Sequence, residues 1–195
     1  MEEIREGLYH WTAYRDTIRQ DVHSHFHAPS WTLFDPMEPA EGIGWFERTG
    51  RRPERIVLSN RHHWRHSDRF GVPVLCHEAG LHEFADGREV QGFKWGDELA
   101  PGVVAHEVGV LCPDETALGV DGALLFADCV IRGPHGELAF VPDFLLGDEP
   151  QAVREGLRAV FSRLCQEVEF DTLLMAHGAP VRSGGRERLR EFAEG

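Results

Sequence analysis

The apolar residues of this chain come in runs too short for buried helices, and the runs stop abruptly at side chains that do chemistry. Ile56-Val57-Leu58 empties into SNRHHWRHS, Ala123 to Ala127 stops at Asp128, and Thr172 to Ala176 stops at His177-Gly178. Short apolar runs bounded by turn residues read as buried strands. A different spacing appears between Glu149 and Val168, where Val153, Leu157, Val160, Phe161 and Leu164 follow helical periodicity. Gly184 to Ala193 closes the chain as a charged helix with Leu189 and Phe192 on one side. Strands followed by helices, twice over, predict two sheets with helices outside them.

Further strands are expected at Leu8 to Ala13, Asp21 to His27 and Trp31 to Phe34, the last ended by the turn signal Asp35-Pro36. Pro73 to Cys76, Val103 to Ala105 and Val108 to Leu111 complete the strand pattern. Pro39 to Arg48 reads as a short helix, and His62 to Phe70 as a short helix or turn. With 195 residues and no repeat, long linker or low-complexity tract, a single domain over 1–195 is expected.

Charge narrows the partners. The 20 basic against 33 acidic residues leave a net charge of −13, which argues against a nucleic-acid or anionic-membrane surface. Arg48 to Arg69 is a local basic exception. No apolar run is long enough to span a bilayer, and MEEIREGLYHW has neither the basic flank nor the apolar core of a secretory signal. A cytoplasmic location is the resulting expectation. The 4 cysteines (Cys76, Cys112, Cys129, Cys165) are widely spaced and read as small packed residues rather than disulfides. No pattern fixes an oligomeric state.

Histidines just past strand ends are well placed to collect a metal, because strand ends are rigid and converge on a crevice. Asp35 in WTLFDP, the RHHWRHS loop, LCPDETAL, LLFADCVI and LLMAHGAP follow one another in an order that resembles the metallo-β-lactamase superfamily. The resemblance runs from about Leu8 to Phe192. It implies an α/β (α+β) fold, a four-layer αββα sandwich, with metal ligands at the strand ends. RHHWRHS resembles the family's THxHxDH loop in either of two registers. One keeps His63 and His66, with Arg61 and Arg65 at ligand positions. The other puts Asn60 at the first histidine position and keeps only His62. LCPDETAL stands where the family carries a further histidine, and Asp114 offers an oxygen there.

The resemblance therefore implies metal ligands among His62, His63, His66, Asp114, Asp128 and His177. Asp35 would orient a ligating histidine, and Asp128 would serve ligation and catalysis. The reduced donor set predicts one divalent metal (Zn, Fe or Mn) and a metal-dependent hydrolase acting on a small-molecule substrate. The alternative is a catalytically inactive, metal-free chain in which Arg61 and Arg65 bind a small anion, or which binds a protein partner. Separately, His23, His25 and His27 alternate and so line one face of a strand, either as another metal row or as a polar sheet face. In that third reading the fold is a different one.

Overall fold

The computed structural model describes residues 1–195. The chain opens with β1 (Glu2–Arg5), β2 (Leu8–Arg15), β3 (Gln20–His27) and β4 (Thr32–Phe34), then α1 (Gly44–Arg48), β5 (Arg55–Val57), β6 (Val74–His77) and β7 (Val90–Phe93). Antiparallel pairing joins β1 to β4, and parallel pairing joins β4 to β7, giving a 7-stranded sheet in sequence order. Next come β8 (Glu98–Ala100), β9 (Val103–Glu107), β10 (Thr116–Val120) and β11 (Ala123–Phe126). A small hairpin, β12 (Ile131–Arg132) with β13 (Leu138–Ala139), precedes α2 (Pro150–Glu167), β14 (Thr172–Met175) and α3 (Gly185–Glu194). The second sheet runs β14-β11-β10-β9-β8, with β11 and β14 parallel.

Strand alternation gives each sheet two buried faces. Leu8, Phe34 and Val57 of the first sheet meet Ala105, Leu118, Leu125 and Leu174 of the second in the central layer. The first sheet's outer face, with Tyr9, Trp11, Phe26 and Ile56, is covered by Phe46 of α1 and by Phe84. The second sheet's outer face, with Leu124, Phe126 and Met175, is covered by Leu157, Phe161 and Leu164 of α2 and Leu189 of α3. The result is the αββα sandwich.

Several local expectations change. Val108 to Leu111 forms no strand, and the helix expected from Pro39 shrinks to Gly44–Arg48. His62 to Phe70 resolves into two 3₁₀ turns, Arg61–His63 and Ser67–Arg69. The strands β1, β7, β8 and β10 carry too few β-branched or aromatic residues, or too much charge, to announce themselves. His23, His25 and His27 do share a face. Their cross-strand partners, Leu8 opposite His27 and Phe34 opposite His25, place that face in the central layer. No helix is long and apolar enough to cross a membrane.

Candidate metal centre at the strand ends

The centre begins with a buried carboxylate. Asp35 follows β4 in the left-handed region at φ 46° and is almost fully buried. Its Oδ1 accepts the Ser59 N–H at 2.9 Å, and its Oδ2 accepts the Ser59 hydroxyl. That same Oδ2 faces His63 Nδ1 at 2.9 Å. Asn60 then starts the turn that aims His63 inward: its side-chain oxygen accepts the His62 N–H at 2.9 Å. The Asn60 amide reaches across to donate to Asp128 Oδ2 at 2.9 Å.

Asp128 and His177 arrive from the other sheet. The parallel register of β11 and β14 sets Phe126 beside Met175, so the residues just past both strands come side by side. Gly178 makes the exit from His177 possible. It has φ +108°, and a Cβ there would lie 2.5 Å from the Arg132 carbonyl. Asp128 Oδ1 lies 3.4 Å from His63 Nε2 and 3.2 Å from His177 Nε2. One donor atom from each of His63, Asp128 and His177 falls within 4.8 Å of the others. Two hydrogen bonds lock the sheets together beside the group: Thr116 N–H to Ser59 carbonyl and His23 N–H to Ala176 carbonyl, both 2.9 Å.

Charge in the group is mutually supported. Burial opposes protonation of His63, but Asp35 and Asp128 outweigh it and push its pKa up to about 9. Burial would raise Asp35, yet His63, Arg65 and Ser59 hold it below the usual carboxylate range. Asp128 is likewise held well below its ordinary value, against burial, by His63 and His177.

The other candidates read from the sequence stand elsewhere. His62 lines the cavity above the group. His66 Nδ1 accepts the Glu38 N–H at 3.1 Å. Asp114 is fully buried and is engaged by Arg61, whose N–H reaches Oδ2 at 2.6 Å and whose guanidinium pairs with Oδ1. Arg65, at φ 47°, turns inward and donates to the carbonyls of His23 and Asp35 at 2.7 Å each. Its Nε and Nη2 have no partner.

One residue is missing from the sequence reading. Glu115 is fully buried, and its Oε1 accepts the N–H groups of Asp128 at 2.9 Å and Cys129 at 2.6 Å. Burial, with the neighbouring Asp128 charge, raises its carboxyl to about 7. Together Asp114 and Glu115 fasten both loops that form the group, Asp114 through Arg61 and Glu115 through Asp128. For Glu115 the only signal in the sequence is its position immediately before a strand that proves to be buried.

Above the group opens a cavity of about 690 Å³. His63, Asp128, His177 and His62 form the polar floor, Arg15 and Gln20 add polar groups, and Ile18, Leu111, Ile131, Val141, Phe144 and Leu145 form an apolar wall. Cys112 also lines it, with its thiol pushed up to about 12 by burial and the Glu115 and Asp114 charges. It is therefore a neutral thiol rather than a ready thiolate.

The donor set fits a divalent metal. Two imidazole nitrogens and a carboxylate oxygen are the ligand types of catalytic zinc-like sites, which use three protein ligands and an open position. The 3.2 and 3.4 Å separations match the edges of a tetrahedron with ligand bonds of about 2.0–2.1 Å. Asp35 on His63 Nδ1 directs Nε2 toward Asp128, the arrangement that orients metal-ligating histidines, and a cation bound there would displace the Nε2 proton. Arg65 adds a positive charge behind the group, where it donates to the Asp35 carbonyl.

No family model matches the sequence, and no curated protein matches it. Solved structures do match. A metallo-beta-lactamase family protein from Thermus thermophilus is 13% identical with a TM-score of 0.65, covering 98% of this chain and 80% of its own. The DIM-1 metallo-beta-lactamase is 12% identical with a TM-score of 0.73, covering 99% and 95%. A metallo-beta-lactamase from Pontibacter korlensis is 16% identical with a TM-score of 0.69, covering 99% and 97%.

Proposed function

We propose that this chain, which has the metallo-β-lactamase fold, is a metal-dependent hydrolase with one divalent cation held by His63, Asp128 and His177. The observation that carries the reading is the convergence of those donors within 4.8 Å, with His63 held from behind by Asp35. A cation there supplies Lewis acidity and the acidification of water that hydrolysis at neutral pH requires. Asp35 fixes the His63 ring and its tautomer through Nδ1. Asn60 holds Asp128 Oδ2, which leaves Oδ1 turned to the two imidazoles. Glu115 fixes the backbone that carries Asp128. The apolar wall offers a surface for the substrate body.

Acyl esters serve as the test substrates. In their hydrolysis the oxygen of water ends on the acyl carbon, the C–O bond breaks, and a proton passes to the leaving alkoxide. The test is hydrolysis of neutral aryl esters by chelator-treated protein, before and after addition of Zn, Mn or Fe(II). Activity that disappears with the chelator and returns with a metal supports the proposal. Failure of all three metals to restore turnover favours the metal-free binding alternative.

A further inference from the structure

The cavity above His63, Asp128 and His177 has a feature that hydrolysis itself does not need. Three apolar side chains at its mouth are left in solvent: Phe144 is 82% exposed, Leu145 53% and Ile18 42%. They sit on two separate segments, the β2–β3 hairpin turn and the turn at Asp143–Leu145 that precedes α2. Folding gains nothing from leaving them there, and apolar residues gathered around a cavity mark a binding surface. A volume of about 690 Å³ suits a drug-sized ligand rather than a small acid.

The same mouth carries Arg15, at the end of β2 and opposite Gln20. Arg61 is paired with Asp114 and Arg69 with Glu38, but Arg15 has no ion-pair or side-chain hydrogen-bond partner. It is the only arginine or lysine lining the cavity. The buried Arg65 lies near enough to feel the Arg15 charge, and its own Nε and Nη2 are unpartnered. On a molecule of net charge −13, a cationic spot beside an apolar wall is a local inversion. Such a spot selects for an anion and steers it to the mouth.

We infer that the site takes amphiphilic anions: molecules with an extended apolar body laid against Ile18, Phe144 and Leu145, and a carboxylate or phosphate read by Arg15. This rests on the hydrolase reading for its chemistry but not for its binding. Under it, the body and the anionic group lie to one side of the reacting ester, and Arg15 sets specificity without touching the reacting atoms.

The test uses a 4-nitrophenyl alkanoate ending in a free carboxylate and its counterpart with that carboxylate capped as a methyl ester. Wild-type protein is expected to prefer the free carboxylate in kcat/KM. Arg15→Gln should cut that preference about tenfold, as expected for loss of a charge-assisted hydrogen bond. Unreactive ether analogues of both compounds, followed by calorimetry, give binding apart from turnover. Tighter binding of the charged ether that depends on Arg15, without hydrolysis of either ester, would sustain this inference while the hydrolase reading fails. Equal binding of the two ethers, or a preference that Arg15→Gln leaves intact, overturns it. Phe144→Ser and Leu145→Ser should weaken both ethers alike, and undiminished binding of both by these variants overturns the apolar half.

Discussion

At the scale of single residues, the site depends on groups that position others. Asp35 touches His63 and Ser59 and lies nearly fully buried. Asp35→Asn keeps the shape but loses the charge that orients His63. It is expected to weaken metal binding about 10–100-fold, the usual cost of losing such a partner. Competition with a chromophoric chelator measures this, and unchanged affinity would show that His63 needs no such support. Glu115 allows a sharper contrast. Glu115→Gln retains a carbonyl for the N–H groups of Asp128 and Cys129, so metal affinity should stay near wild type. Glu115→Leu strands both donors and should lower metal affinity and thermal stability together. A leucine variant that binds metal as tightly as wild type would remove Glu115 from the account. Asp128 and His177 are visible in the sequence because each follows an apolar run directly. His63 stands level with its neighbours there, because a 3₁₀ turn opened by Asn60 decides which histidine points inward. Glu115 is invisible because an acidic pair before a strand ordinarily reads as a solvated loop.

At the scale of elements, the hairpin of β2 and β3 holds an uncommon load. His10 Nε2 and His23 Nδ1 are 2.7 Å apart, with ring planes 12° from parallel, so one ring donates and the other accepts. Burial lowers both pKa values to about 4, with the His10 and His177 charges adding at His23 and Glu2 opposing at His10. Their folded values lie below the ordinary 6.5, so the unfolded chain binds more protons between about 6.5 and 4. Stability from these two groups is full above that window and lost as pH falls through it. Their contribution to the thermal midpoint of metal-free protein should shrink between pH 7 and pH 5, opposed by Glu115 and His63, whose raised pKa values act the other way. Relative to wild type, a His10→Gln/His23→Gln variant should gain midpoint as pH drops from 7 to 5, and an unchanged difference between the two proteins would assign the effect to other groups. The alternation of His23, His25 and His27 is legible in the sequence. Their burial between two sheets is not, because it depends on the pairing of β3 with β2 and β4.

At the scale of the whole molecule, the order of short apolar runs and one strongly periodic helix is enough for the layered architecture. Both α2 and α3 announce themselves through apolar spacing, and β5, β11 and β14 through continuous apolar runs buried on both faces. The weaker strands of the second sheet emerge only when the central layer is assembled around Leu118 and Val103. The centre forms where the two sheets meet, since Asp35 and His63 belong to one and Asp128 and His177 to the other. The candidate ligand set is therefore a tertiary property: the sequence offers six candidates, and the fold brings donor atoms of three of them together. The central claim is that these three donors hold one cation. Metal content by plasma mass spectrometry, on untagged protein prepared without chelator, tests it most directly. The account predicts close to one equivalent of Zn, Fe or Mn in the wild type and near none in His177→Ala, with matching circular dichroism. Wild-type protein that holds no metal even after supplementation, or His177→Ala that retains the full amount, would contradict it.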